Sequence, residues 1–246
     1  MAIADELRAA VGGATCLRRL GAGVPREARA GGLVFYPLIG VLAGLLAAAA
    51  LRLADPVDGL MACVAALVVL AATSGGRTVS GAASAAGALG TSGGHAAVLA
   101  RLRGQPSPGG IAIAGAFWLV KLLALLRIPG TARPIALVLA AMLGRWAIIV
   151  QCYGGAPGAA RGLAADLVGR ARLREFGWAS SVTFAVTLAL LDAIGLVVLL
   201  AVTLATVGFR ILVYRRAGGL IGRLLMATAE LIETIALLVL AALARG

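Results

Sequence analysis

Glu230 and Glu233 stand three residues apart inside the apolar run 224–243, so a helix there presents both carboxylates on one face. Arg145 sits inside a second apolar run, 134–152. Counted from the span ends next to the arginine-rich connections, all three lie about 9–14 Å deep at ~1.5 Å per residue. An ionisable side chain at that depth is a candidate functional residue and needs a partner. Two arrangements satisfy the three. In one, a polar pocket opens inward, Arg145 binding an anionic substrate group and the glutamates a cation or hydroxyl. In the other, Arg145 and Glu230 form a buried pair that locks two helices together. Lys121, some six residues from the opposite end of the run 109–126, reads as a snorkelling side chain.

The remaining chemistry is limited by what is missing. Between Asp58 and Asp166 the chain runs 107 residues without an Asp or Glu, yet carries eight Arg or Lys. A divalent metal favours hard oxygen ligands, usually carboxylates, and the longest polar stretch, 73–110, has none. The three cysteines, Cys16, Cys63 and Cys152, lie far apart without metal or disulfide spacing and read as small packing residues. His95 is the sole histidine, which excludes a multi-histidine site within the chain. It reads as an exposed loop residue rather than a general base. The Gly-, Ala- and Ser-rich run 81–94 is either a close-approach phosphate loop or small-residue helix packing.

The elements that hold these residues are set by composition. Sixty-one per cent of the 246 residues are hydrophobic and 13% charged, with a mean hydropathy of +1.03. That describes an all-α, polytopic membrane protein. Apolar runs predict about seven spans (six to eight): 31–51, 58–73, 109–126, 134–152, 178–191, 193–209 and 224–243. The stretch 178–209 is too long for one helix in an ordinary bilayer, at about 48 Å. Asp192 and Gly195 near its middle predict a tight turn between two short helices. The residues from Asp5 to Leu20 contain no long apolar run, so the first span is expected to act as its own insertion signal.

Charge placement supports that division. With seven spans and a cytoplasmic N-terminus, sixteen arginines lie inside, and only Arg52, Arg127, Arg133 and Arg245 outside. Merging 178–209 into one span weakens this positive-inside bias. The three long polar connections, 74–108, 153–177 and 210–223, then face the cytoplasm. The net charge of +12 is accounted for by arginines near anionic lipid, with Arg170, Arg172 and Arg174 as a headgroup patch; it does not point to nucleic acid. The chain reads as one domain over 1–246 in a bacterial-type inner membrane. No internal repeat of the transporter kind is visible. Gly40 and Gly44 form a small-residue face suited to helix pairing, including a homo-oligomer.

Three segments together carry a resemblance. They are Gly31-Gly32-Leu33-Val34-Phe35-Tyr36-Pro37-Leu38-Ile39-Gly40, Ser74-Gly75-Gly76-Arg77-Thr78-Val79-Ser80-Gly81, and Arg215-Arg216-Ala217-Gly218-Gly219-Leu220-Ile221-Gly222 ahead of the Glu230 helix. In order and spacing, from about Ala14 to Ala242, the chain resembles the cobalamin synthases, the adenosylcobinamide-GDP ribazoletransferases. The resemblance implies an integral-membrane enzyme with Mg2+. It joins GDP-activated adenosylcobinamide, a corrinoid nucleotide, to α-ribazole or its phosphate and releases GMP. Metal ions held by aspartates would stabilise the departing nucleotide.

Against that pattern, this chain has lost its acids. Thr78 stands at the expected histidine. Ser80, Ser84, Gly87, Gly104 and Arg223 stand at five expected carboxylates. Serine and glycine offer a cation weak ligands, and an arginine repels it. Arg77, Arg101, Arg103 and Arg223 are candidate diphosphate clamps, and Ser74-Gly75-Gly76 and Ser92-Gly93-Gly94 candidate phosphate cradles. Two functions follow. One is a ribazoletransferase with a rebuilt site. The other is a catalytically silent relative serving as a membrane scaffold or as the partner of an intact paralogue.

Overall fold

A computed structural model describes residues 3–244; Arg245, counted above on the outer side, lies outside them. The described residues are helical, with one isolated parallel bridge between Pro157 and Leu220 and no strand. In chain order the helices are α1 (Ile3–Ala14), α2 (Arg26–Gly31), α3 (Tyr36–Ala54), α4 (Gly59–Thr73), α5 (Arg77–Leu89), α6 (His95–Arg103), α7 (Pro108–Arg127), α8 (Arg133–Cys152), α9 (Leu163–Leu167), α10 (Leu173–Ala217) and α11 (Gly222–Leu243).

Local chemistry sets the boundaries. Asp58 caps α4, its Oδ1 accepting from the backbone N–H of Leu60 and Met61 at 2.8 and 2.9 Å. Ser107 caps α7 by accepting from Gly110 N–H at 3.1 Å, with Pro108 in the first turn. Gly218 ends α10 in the left-handed region at φ 69°.

Five helical segments are long and apolar enough to cross a membrane, or six if α4 and α5, bent 84° to each other, make one broken span. The expected count of seven needs the two arms of α10 to be counted separately. Their geometry is that of a hairpin. Asp192 interrupts the helix at φ 50°, ψ −133°. A Cβ on Gly195 would lie 3.0 Å from the Thr187 carbonyl oxygen, although a continuous helix would set those residues about 12 Å apart. Both arms meet α8. Trp146 Nε1 donates to Ser180 on the first arm at 3.0 Å, and Gln151 Nε2 to the Thr206 carbonyl on the second at 3.3 Å.

α8 and α11 form the centre of the bundle, α8 packing on α3, α10 and α11. Close backbone approach explains the α3–α8 contact. A Cβ on Gly40 would fall 2.6 Å from the Ala141 carbonyl oxygen, and Gly44 abuts Val138 just as tightly. The Gly40–Gly44 face is therefore spent inside the chain rather than offered to a second copy. Burial of aliphatic side chains along this seam lets small residues serve as the contact surface.

One end of the bundle carries the polar segments: α1, α2, α5, α6, α9 and the connection 153–172. The other end is made by the turns after α3 and α7 and the α10 hairpin, where Ile128, Ala132, Leu190 and Ile194 come together. The segment 74–108 folds as two helices. Of these, α5 packs on α11 and on the start of α7. Gly81 permits the first contact, since its Cβ would stand 2.7 Å from the Arg223 carbonyl oxygen.

Candidate functional site

Ser80, Ser84 and Gly87 fall at i, i+4 and i+7 of α5 and share one face of it. The structure brings to that face two more of the five positions where the resemblance leads one to expect acids. Arg223, in the first turn of α11, points its Nη1 at Ser84 Oγ (3.3 Å) and the Leu102 carbonyl oxygen (2.7 Å), and donates also to the Gly104 carbonyl. One guanidinium thus joins α5, α11 and the C-terminal end of α6. Ser84 is buried and donates to its own helix at the Ser80 carbonyl, 2.8 Å away. Ser80 is exposed. Gly87 is closed off by Ser107, whose side chain fills the space a Cβ would need. Thr78, buried beside Ser74, exchanges a 3.4 Å contact with its hydroxyl.

That donor set does not fit Mg2+. Two hydroxyls, two glycine positions and a guanidinium supply no negative charge to offset dehydration of the ion. Among the described residues no group of three or more His, Cys, Asp or Glu side chains is placed to hold a metal.

Of the phosphate-clamp candidates, Arg77 and Arg223 take different partners. Arg101 and Arg103 are exposed on α6, whose C-terminal end is held by Arg223 at the Leu102 and Gly104 carbonyls. Arg77 turns to the opposite side of the α5 start. There it donates to the Ser74 carbonyl at 3.0 Å and to the Thr15 carbonyl, beside a cavity shared with Tyr36, Arg29 and Asp166. The Ser92-Gly93-Gly94 turn is flanked by Arg216, which holds the Leu89 and Thr91 carbonyls at 2.9 and 3.0 Å. His95 is exposed but opens α6 rather than lying in a loop. Its Nε2 is 3.3 Å from the Arg215 carbonyl oxygen. The three cysteines are free thiols.

The intramembrane charges do converge, in a pattern the sequence did not yield. Glu233 accepts from Arg145 Nη1 at 2.5 Å with one oxygen and from Lys121 Nζ at 2.7 Å with the other. Lys121 also meets Glu230 Oε1 at 2.7 Å. The partner of Arg145 is Glu233, not Glu230. Lys121, 3% exposed, does not snorkel. It belongs to a buried two-cation, two-anion cluster tying α7, α8 and α11. The void beside that cluster measures only about 10 Å³, room for about one water.

A further acid, which the sequence marks only as the end of the acid-free stretch, is paired at the polar end. Asp166 on α9 is buried and clasped by Arg29 at 2.5 Å and Arg26 at 3.2 Å, both from α2. The signal was there: it is the first acid after the long gap and follows a glycine-rich turn. Of the expected headgroup patch, Arg174 is drawn into pairs with Glu175 at 3.0 Å and Glu6 at 3.4 Å.

The family model for cobalamin-5-phosphate synthase matches residues 6–241. No curated protein and no solved structure shows a significant match. The matched region holds every helix that carries the acid-position face, the charge cluster and the Tyr36 cavity. Spanning nearly the whole chain, the match shows that this multi-pass helical protein belongs to the cobalamin-5-phosphate synthase family of cobalamin biosynthesis.

Proposed function

We propose that this chain serves cobalamin assembly as a catalytically silent member of its family, a membrane scaffold or the partner of an intact paralogue. The observation that carries this reading is Arg223. Its guanidinium lies against Ser84 and the carbonyls of Leu102 and Gly104, where the resemblance expects carboxylates. A divalent ion placed about 4 Å from that charge would be repelled by roughly 8 kcal/mol at an effective dielectric of about 20. No nearby carboxylate offsets such a penalty. The protein keeps the glycine and apolar frame that builds the helices, and with it a surface that an intact relative would share.

The competing reading is an active ribazoletransferase, joining GDP-activated adenosylcobinamide to α-ribazole or its phosphate with release of GMP. The match over 6–241 favours it. It would require arginines to neutralise the diphosphate in place of metal, and Arg77 and Arg223 are each engaged with backbone carbonyls.

In the proposed setting the chain sits in the bacterial inner membrane with its N-terminus and polar end in the cytoplasm. The charge bias and the location of all long polar connections at one end support this. The test is GMP release from adenosylcobinamide-GDP plus α-ribazole by purified protein in nanodiscs, with and without Mg2+. The expected result is no turnover alone, and retention of an intact paralogue on the tagged chain. Metal-dependent turnover by the unaltered chain overturns the proposal.

A further inference from the structure

A cavity of about 720 Å³ at the polar end has the size of a small-ligand site and shares no lining residue with the one beside Tyr36. Part of its wall is α1 and α2, which supply Glu6, Glu27 and Gly31. The rest is the run into α10, which supplies Arg170, Arg172, Arg174 and Glu175. Two segments long and apolar enough to cross a membrane, Arg26–Ala54 and Leu173–Ala217, begin at these walls. Leu173 and Trp178, in the first two turns of α10, are 68% and 63% exposed. A bare indole where a span begins belongs at the level of lipid headgroups. The cavity therefore opens at headgroup depth.

The charges on the wall select the ligand. Three glutamates and three arginines line it, so its formal charge is zero and it offers no net field to a plain anion. Part of that charge is already spent. Glu175 is buried, accepts from the Arg172 backbone N–H at 2.8 Å and pairs with Arg174 Nε at 3.0 Å. Arg174 also reaches Glu6 Oε1 at 3.4 Å, and that carboxylate lies against Gly31, where a Cβ has no room. This chain of contacts ties α1 to α10 and fixes that part of the wall. Glu27, Arg170 and Arg172 are left exposed, and none of the three forms an ion pair with a described residue. A free carboxylate on one element and two free guanidinium groups on another suit a ligand with one positive and one negative group.

We propose that this cavity holds the phosphoethanolamine headgroup of a membrane lipid, its phosphate on Arg170 and Arg172 and its ammonium on Glu27. Guanidinium is the preferred planar donor to phosphate oxygens, and a primary ammonium has three N–H donors to offer a carboxylate. The trimethylammonium of a choline headgroup has no N–H to give and is held by aromatic faces instead; the lining residues include no aromatic ring. A purely anionic headgroup would use the arginines but meet repulsion from Glu27. Occupancy involves neither GMP release nor a paralogue, so its outcome is independent of the function proposed above.

The test is thermal unfolding of the full chain in detergent, titrated with short-chain phosphatidylethanolamine, phosphatidylcholine or phosphatidylglycerol of identical acyl chains. Glycerophosphoethanolamine, which lacks acyl chains, is the soluble control. The expected result is saturable stabilisation by phosphatidylethanolamine, with weaker responses to the other two lipids and to the soluble control. Glu27→Gln removes a charge from an exposed side chain that holds no ion pair, so the fold should survive it. It should weaken phosphatidylethanolamine binding about fivefold, the upper value for an exposed ion pair, and leave phosphatidylglycerol binding no weaker. Arg172→Gln should weaken both. Silence from phosphatidylethanolamine, an equal response to all three lipids, or a preference for phosphatidylglycerol overturns the proposal. So does unchanged phosphatidylethanolamine affinity in Glu27→Gln. Equal affinity for glycerophosphoethanolamine would assign a soluble ligand and overturn the lipid assignment.

Discussion

Lys121 Nζ and Glu233 Oε2 meet at 2.7 Å across 112 positions of sequence, with both side chains almost wholly buried. Lys121 lies about 9 Å from the end of α7 and Glu233 about 16 Å from the start of α11, at ~1.5 Å per residue. Helix side chains lean toward the N-terminus, so Lys121 points back toward the bundle centre rather than out to the nearer end. Glu233 also holds Arg145, which makes it the only carboxylate shared by two cations in the cluster.

Removing that shared group should be severe. Glu233→Gln leaves Arg145 buried without a carboxylate and is expected to cost about 3–5 kcal/mol. In a chain of this size that is a fall of about 10 °C in thermal midpoint. Lys121→Met should also destabilise, by stranding Glu230, and adding Glu230→Leu should recover most of that loss. Circular dichroism melts in detergent check the series. A neutral Lys121→Met would mean that the lysine lies at the surface after all.

Arg223 should matter for stability and exclude metal. Arg223→Ala removes contacts to Ser84, Leu102 and Gly104 and is expected to cost about 1–3 kcal/mol. Millimolar Mg2+ should leave the melting of the unaltered chain no different from a matched-ionic-strength control. In the double variant Ser84→Asp, Arg223→Asp the same face becomes anionic. Mg2+ at about 100 times its Kd should then add about 2.7 kcal/mol. Absence of that gain would show that these positions do not converge as described.

The α3–α8 seam should not tolerate a branched side chain. Gly44→Val would drive methyl groups into the Val138 backbone and is expected to cost about 1–3 kcal/mol or more. Crosslinking the same variant tests the alternative use of this face. If Gly44→Val leaves stability intact but abolishes a dimer, the glycines serve pairing between chains.

Asp192 is the one described non-glycine residue with positive φ, in a region that costs an L-residue about 1–3 kcal/mol. Asp192→Gly should therefore stabilise, by about 1 kcal/mol. Single cysteines at 192 and at 215, in a background free of the native cysteines, should react with an impermeant maleimide from opposite sides of the membrane. Labelling from the same side would contradict a hairpin whose tip and base lie at opposite faces.

The sequence by itself determined the class of the protein and the family. Apolar runs of bilayer length, arginines gathered in three connections, and the Phe35-Tyr36-Pro37 and Gly218-Gly219-Leu220 segments are local patterns, legible without coordinates. The turn at Asp192 was also legible, because a charged residue and a nearby glycine in the middle of 32 apolar-rich positions leave few other conformations. That Ser80, Ser84 and Gly87 share a face was legible too, because the three lie on one short helix.

Only the tertiary structure decided who pairs with whom. Depth counted along a helix gives no azimuth, and a long lysine can point either way, so spacing alone does not distinguish a snorkelling Lys121 from a buried one or Glu230 from Glu233 as the partner of Arg145. The use of Gly40 and Gly44 inside the chain depended on which helix lay opposite, and that is α8. Whether the arginines at 77, 101, 103 and 223 share a pocket was likewise a question of three dimensions. Arg77 and Arg223 take separate partners, because α5 turns Arg77 toward Thr15 while Arg223 turns to Ser84 and the end of α6. Sequence spacing fixes faces of single helices; contacts between helices distant in the chain are fixed by packing, where close backbone approach and the need to pair buried charge select one arrangement.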